Sequence, residues 1–192
     1  MPIQYLSVSW EEYQELTRKI SASILSHSPY VNQIVAIARG GLTFGHLCSD
    51  FLRIPIATIT IQSYSDIQKR GTIKITEPLK TDLRGKDVLL VDDVADSGKT
   101  LKRATTYIKS FKPNSLTVAT LFYKPHSVSR PDYFAEKTSK WILFPYEPTE
   151  MILLITKNME KEGKTKAEIQ SFLHTLGYTT TYIRHVRKYF LS

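Results

Sequence analysis

Three acids within five positions, Asp92, Asp93 and Asp96, stand between the apolar run Val88-Leu89-Leu90-Val91 and the turn Ser97-Gly98-Lys99-Thr100. The apolar run is the pattern of a buried strand, and Thr100-Leu101 opens a helical periodicity. A strand that ends in a glycine-containing turn at a helix start aims backbone N–H groups and the positive end of the helix dipole at one point. That is an anion site. The paired carboxylates beside it suit ribose hydroxyls or a hydrated Mg²⁺. The unit reads as a holder for a sugar phosphate and its metal. Gly98-Lys99-Thr100 also has the form of the end of a triphosphate-binding P-loop, but that loop requires glycine where Asp93 stands. Carboxylates there would repel β- and γ-phosphates, so the P-loop is excluded.

The surrounding pattern must position these groups. A helix is expected over about Ser9–Ser26, from the capping box of Ser9 and Glu12 and from Trp10, Tyr13, Leu16, Ile20 and Ile24 at helical spacing. Then come a strand at Ile34–Ala38, the turn Arg39-Gly40-Gly41, a helix over Leu42–Leu52 and a β-rich Ile56–Ile61. A strand at Asp87–Val91, a helix from Thr100 to about Ser110 and a strand at Leu116–Tyr123 continue the alternation. Strands and helices in that rhythm predict a parallel sheet with helices on both faces. Ser63–Arg84 is polar, with only a short strand hinted at Lys74–Glu77, and reads as a long loop of the kind that serves as a lid. The aromatic, proline-rich 124–148 region reads as irregular or short-stranded. Helices follow at Thr149–Glu162, Thr165–Leu176 (with a Thr165/Glu168 capping box) and Thr181–Phe190. The last two form a hairpin whose apolar stripes need a partner surface, either this chain's core or a second subunit.

A chain of 192 residues fits one domain with a small appendage, burying roughly 70% of its unfolded surface. No run approaches the roughly 18 apolar residues of a membrane span, and Met1-Pro2-Ile3-Gln4 lacks the start of a secretion signal. The single Cys48 excludes an internal disulfide and fits a reducing cytosol. The net charge of +8 is spread along the chain, with a mild excess after Lys157. A solvated basic surface that attracts small polyanions accounts for it, and no arginine-rich block points to nucleic acid.

The Val88–Leu101 stretch resembles the phosphoribosyl pyrophosphate (PRPP) binding signature of type I phosphoribosyltransferases, in its hydrophobics, its acidic pair, Asp96, Ser97, Gly98 and Thr100. The resemblance implies an α/β fold with a parallel sheet, helices on both faces and a small hood. The domain would span residues 1–148, with the hood at about 124–148, and the helical extension at 149–192 matches nothing in the family. It implies that Asp96 is the acid–base residue at a purine N7, and that Asp92 and Asp93 lie by the ribose and Mg²⁺. Ala95, Asp96, Ser97, Gly98, Lys99 and Thr100 would hold the 5′-phosphate, and Arg39 and Gly40 would form the pyrophosphate loop, with a cis bond after Arg39. Ser63-Tyr64 would open a closing loop from which Lys69 and Arg70 reach pyrophosphate. Lys124-Pro125, Trp141-Ile142 and Glu147 are spaced as in bacterial and archaeal xanthine–guanine enzymes. There the equivalent of Lys124 contacts the purine O6, that of Trp141 stacks on the base, and main chain near Ile142 and Glu147 reads the 2-position. Tyr146 stands where tryptophan is commoner. The implied activity is transfer of 5-phosphoribosyl from PRPP to a 6-oxopurine in purine salvage, Mg²⁺-dependent, by a cytoplasmic homodimer or higher homo-oligomer. Two alternatives stay open: a PRPP-fold regulator that binds nucleic acid, and transfer to another base such as orotate or uracil.

Overall fold

The structure, a computed structural model, describes residues 3–27, 30–66 and 69–191. The elements run β1 (Tyr5–Ser7), α1 (Trp10–His27), β2 (Gln33–Ala38), α2 (Gly41–Leu52), β3 (Ile56–Asp66), β4 (Lys69–Glu77), β5 (Asp87–Ala95), α3 (Lys99–Lys109), β6 (Ser115–Tyr123), β7 (Tyr133–Lys137), β8 (Trp141–Leu143), α4 (Pro148–Lys161), α5 (Lys166–Thr175) and α6 (Thr180–Phe190). They divide into two compact units, one of Gln14–Ser139 and one of Met1–Tyr13 with Lys140–Ser192.

The first unit holds a six-stranded sheet in the order β4-β3-β2-β5-β6-β7. Among the described residues only the β3–β4 pairing of this sheet is antiparallel. The central strands β2 and β5 are near-continuous apolar runs because both faces are covered. Val35, Ile37, Val88 and Leu90 pack with Leu101, Ala104 and Ile108 of α3. On the opposite face Gly45 of α2 lies so close that a Cβ there would fall 2.7 Å from that of Ala36. The expected helices on both faces are present. Between β2 and β5 the strand order reverses, since β2 leads to β3 on one side and β5 to β6 on the other. The carboxyl ends of strands flanking such a switch point form a crevice suited to ligands.

Two sequence expectations change. The polar stretch read as a loop carries an antiparallel hairpin: β3 runs to Asp66 and β4 starts at Lys69, with Ser63 opposite Ile73 and Tyr64 opposite Thr72. Alternation in Thr72-Ile73-Lys74-Ile75-Thr76 is strand-like, and pairing with β3 supplies the ladder that the polar composition concealed. β5 also extends past Val91 to Ala95, so the acidic pair lies inside the strand end rather than after it.

The second unit pairs β1 with β8 in parallel, Tyr5 opposite Trp141 and Ser7 opposite Leu143. Its core joins Leu143 with Met151, Ile152 and Ile155 of α4, Ile169 and Leu173 of α5, Tyr178, and Ile183 and Val186 of α6. The capping box expected for α5 is present, with Glu168 N–H donating to Thr165 Oγ1 and Thr165 N–H to Glu168 Oε2. The helical hairpin thus buries Ile169, Leu173, Ile183 and Val186 within its own unit, whereas Tyr182 and Phe190 of the α6 stripe stay exposed.

Candidate active site

Two β–α loops leave adjacent strands at the switch point. Ala38 ends β2 and Arg39-Gly40 leads into α2; Ala95 ends β5 and Asp96-Ser97-Gly98 leads into α3. Glycine is required where they meet. A Cβ on Gly40 would lie 2.5 Å from Asp93 Cγ, and one on Gly41 would lie 2.6 Å from the Val91 carbonyl oxygen. The acidic strand end therefore presses against the start of α2. The cis peptide expected after Arg39 falls one bond earlier, at Ala38–Arg39.

Asp92 is buried, and its Oδ1 accepts the Asp93 N–H at 3.1 Å. Burial first, then the Asp93 charge, push its carboxyl well above the usual carboxylate range, while N–H donation from Asp93 and Gly41 opposes this. Asp93 is half-buried and takes the Val94 N–H at 2.6 Å. Among the described residues no group of three or more His, Cys, Asp or Glu could cage a metal. Two hard carboxylates without a third suit Mg²⁺, which binds through one or two carboxylates and completes its shell with water and substrate oxygens. The donor set fits that ion.

The α3 N-terminus faces the same loop. Gly98 adopts φ +74°, and no side chain caps the helix. Ser97 Oγ lies 3.4 Å from the Lys99 N–H, and Lys99 and Thr100 occupy the first turn. Uncapped N–H groups with no acid in that turn make an anion cradle. Asp96 is exposed at the rim.

A residue that the sequence reading passed over joins it. His126 Nε2 lies 3.0 Å from Asp96 Oδ1. The loop after β6 is pinned across the PRPP-type turn: Lys124 N–H donates to Ala95 O at 3.0 Å and Val128 N–H to Ser97 O at 3.1 Å. Gly98 packs under this loop, where a Cβ would meet the Ser129 nitrogen at 2.6 Å. His126 could have been noticed only because Lys124-Pro125-His126 follows the carboxyl end of a strand beside β5. Lys124 is buried; burial lowers its ammonium pKa and the Asp96 charge partly restores it.

Arg39, Gly40, Asp92, Asp93, Ala95, Asp96, Ser97, Gly98, Lys99, Thr100 and Lys124 thus gather at one end of the first unit's sheet. Ser63 and Tyr64 stand near the end of β3, and Lys69 and Arg70 at the start of β4; Ile67 and Gln68 between them lie outside the described residues. Trp141, Ile142 and Glu147 belong to the second unit. Trp141 is 49% exposed on β8, with its N–H donating to Gln4 O at 2.8 Å; Ile142 is buried, and Glu147 precedes α4. Tyr146 stacks on Phe144 at 5.2 Å and meets the edge of Tyr13 at 5.8 Å.

Residues 9–150 match the phosphoribosyl transferase domain. The chain belongs to the phosphoribosyltransferase family. A xanthine-guanine phosphoribosyltransferase of Nitratidesulfovibrio vulgaris is 32% identical over 143 residues, which cover 73% of this chain and 83% of that protein. The corresponding protein of Idiomarina loihiensis is 29% identical, covering 73% of this chain and 85% of its own length. The crystal structure of a purine phosphoribosyltransferase from Pyrococcus horikoshii superposes with a TM-score of 0.70 at 30% identity, covering 76% of this chain and 95% of that one. This phosphoribosyltransferase is therefore a group-transfer enzyme, and no helix among its described residues is long and apolar enough to cross a membrane.

Proposed function

We propose that the enzyme transfers 5-phosphoribosyl from PRPP to a 6-oxopurine, with guanine, xanthine and hypoxanthine as candidates. The observation that carries this is the joining of two phosphate-type loops at the β2/β5 switch point, with Asp96 at their rim. The bond from the anomeric carbon to pyrophosphate breaks and a bond to purine N9 forms. The proton on N7 passes to the Asp96 carboxylate, and pyrophosphate leaves with the former bonding pair. Backbone N–H groups of Ser97–Thr100 hold the 5′-phosphate, and the Arg39-Gly40 loop faces the pyrophosphate. Negative charge from Asp93 and Asp96 favours the oxocarbenium-like state at the sugar. Asp92 and Asp93 would hold Mg²⁺, which supplies charge neutralisation on pyrophosphate when bound. Lys124 suits a purine carbonyl oxygen, and Trp141 offers an exposed ring for stacking. Lys69 and Arg70 on the β3–β4 hairpin are assigned to pyrophosphate, with Ser63 and Tyr64 in the same closing element. A cytoplasmic homo-oligomer is the form we assign it.

The test is incubation with PRPP, Mg²⁺ and each of guanine, xanthine, hypoxanthine, orotate and uracil. Nucleotide from at least one 6-oxopurine is expected; product from orotate or uracil alone, or from none, overturns the reading. Asp96→Asn should lower turnover about 10²-fold or more, the scale of a lost acid–base group, while PRPP still binds. Equal turnover of variant and parent removes Asp96 from this role.

A further inference from the structure

Residues 165–190 lie beyond the family match, which ends at 150. α5 and α6 are joined by Leu176-Gly177-Tyr178-Thr179, in which Gly177 takes φ +92° and Thr179 caps α6 by accepting the Tyr182 N–H. Tyr178 turns inward from this link and is buried with Ile169 and Leu173 of α5 and Ile183 and Val186 of α6. Ser7 Oγ donates to Leu176 O at 2.8 Å and braces the turn from β1. Two short helices joined by a four-residue turn with a glycine, stacked on a third helix over one shared core, are the parts of a helix-turn-helix.

What the second helix carries is the deciding point. α6 exposes Thr180, Thr181, Tyr182, Arg184, His185 and Lys188, with Tyr189 and Phe190 at its C-terminal end, and contains no carboxylate. An ordinary solvated face mixes signs, as α4 does with Glu150, Lys157, Glu160 and Lys161. The α6 N-terminus adds its positive dipole end with no acid in the first turn. Arg187 fastens the two helices together, donating to Gln170 Oε1 at 3.2 Å and Lys166 O at 2.9 Å, so α6 is presented as a rigid rod.

We propose that α5 and α6 form a duplex-DNA-binding helix-turn-helix, with α6 lying in the major groove. Thr180, Thr181 and Tyr182 at its N-terminal end offer the hydroxyls and methyls that read base edges. Arg184, Lys188 and Lys166 supply phosphate contacts, while Lys164 lies 3.8 Å from the Glu168 carboxylate, and the carboxylate-free charge of α6 complements the duplex. The proposal is independent of which base the transferase site accepts.

The full-length protein is titrated, by fluorescence anisotropy, into a labelled random-sequence DNA duplex of about three helical turns. Its single strand and an RNA duplex of the same length are run in parallel. Preference for duplex DNA is expected, with affinity falling steeply between about 50 and 200 mM salt. Arg184→Ala combined with Lys188→Ala should weaken binding about tenfold or more and flatten the log–log salt slope by about 2, with phosphoribosyl transfer and melting temperature kept. Sequences selected by the parent from the random pool should no longer be preferred by Thr181→Ala with Tyr182→Ala. No duplex binding at about 50 mM salt, preference for RNA or single strands, or equal binding by parent and Arg184/Lys188 variant each overturns the proposal.

Discussion

His126 and Asp96 are both exposed, at 63% and 65% of their side chains, so their 3.0 Å contact is open to solvent. Such a pair contributes about 0–1 kcal/mol to stability, which makes its geometric effect the larger one. His126 is placed to orient the Asp96 carboxylate, because the 124–129 loop that carries it is bonded across the turn below. His126→Ala should leave the melting temperature in place and lower kcat roughly 3–10-fold, the worth of one hydrogen bond of about 1 kcal/mol, with KM for PRPP little changed. His126→Gln, whose amide can donate from near the Nε2 position, should restore most of that loss. Unchanged kcat in His126→Ala, or loss in both variants alike, would show that the imidazole does not position Asp96.

At the scale of elements, β5 and β6 are clasped at their starts. Asp87 Oδ1 accepts Ser115 Oγ at 2.6 Å and Asn114 Nδ2 at 2.7 Å, and these two bonds hold its carboxyl below the usual value. A depressed carboxyl contributes stability that is present above its unfolded pKa of about 3.9 and is lost as pH falls through the lower folded value. Asp87→Ala should therefore lower the melting temperature at pH 7, and its difference from the parent should shrink as both are acidified below about pH 4. A difference that stays constant across that range would mean that the clasp does not depend on the charge. Helices were the most legible elements: Ser9 and Glu12 bond reciprocally at the start of α1 as their spacing implies. β1 was not legible, because Tyr5-Leu6-Ser7 is too short to display a period and its partner β8 is remote in sequence.

For the whole molecule, α5 and α6 cover Leu143, Met151, Ile152 and Ile155 in one core. Fully burying side chains of this size stabilises by about 1.5–3 kcal/mol each, so their exposure should be felt. Removal of all residues after Gly163 should lower the melting temperature and raise binding of a hydrophobic dye. A truncated chain with the parent's melting temperature would mean that the hairpin folds apart from α4. At this scale too, the basic excess after Lys157 changes its meaning. Spread along the sequence it is unremarkable, but on α6 the helix geometry sorts Arg184 and Lys188 onto the exposed side, opposite buried Ile183 and Val186.

By itself the sequence determined the alternation of strands and helices, the capping boxes, and the strand–acid–turn–helix unit of Val88–Leu101. Each rests on hydrogen bonding and hydrophobic periodicity within about a dozen residues, which a local reading can resolve. The tertiary structure decided which strands lie side by side. Placing β2 next to β5 sets Gly40 against Asp93, and placing β6 next to β5 brings His126 to Asp96. It also turned a polar stretch into the β3–β4 hairpin and closed α4, α5 and α6 over one core. These outcomes depend on the summed burial and pairing of residues far apart in the chain. No local propensity encodes that sum.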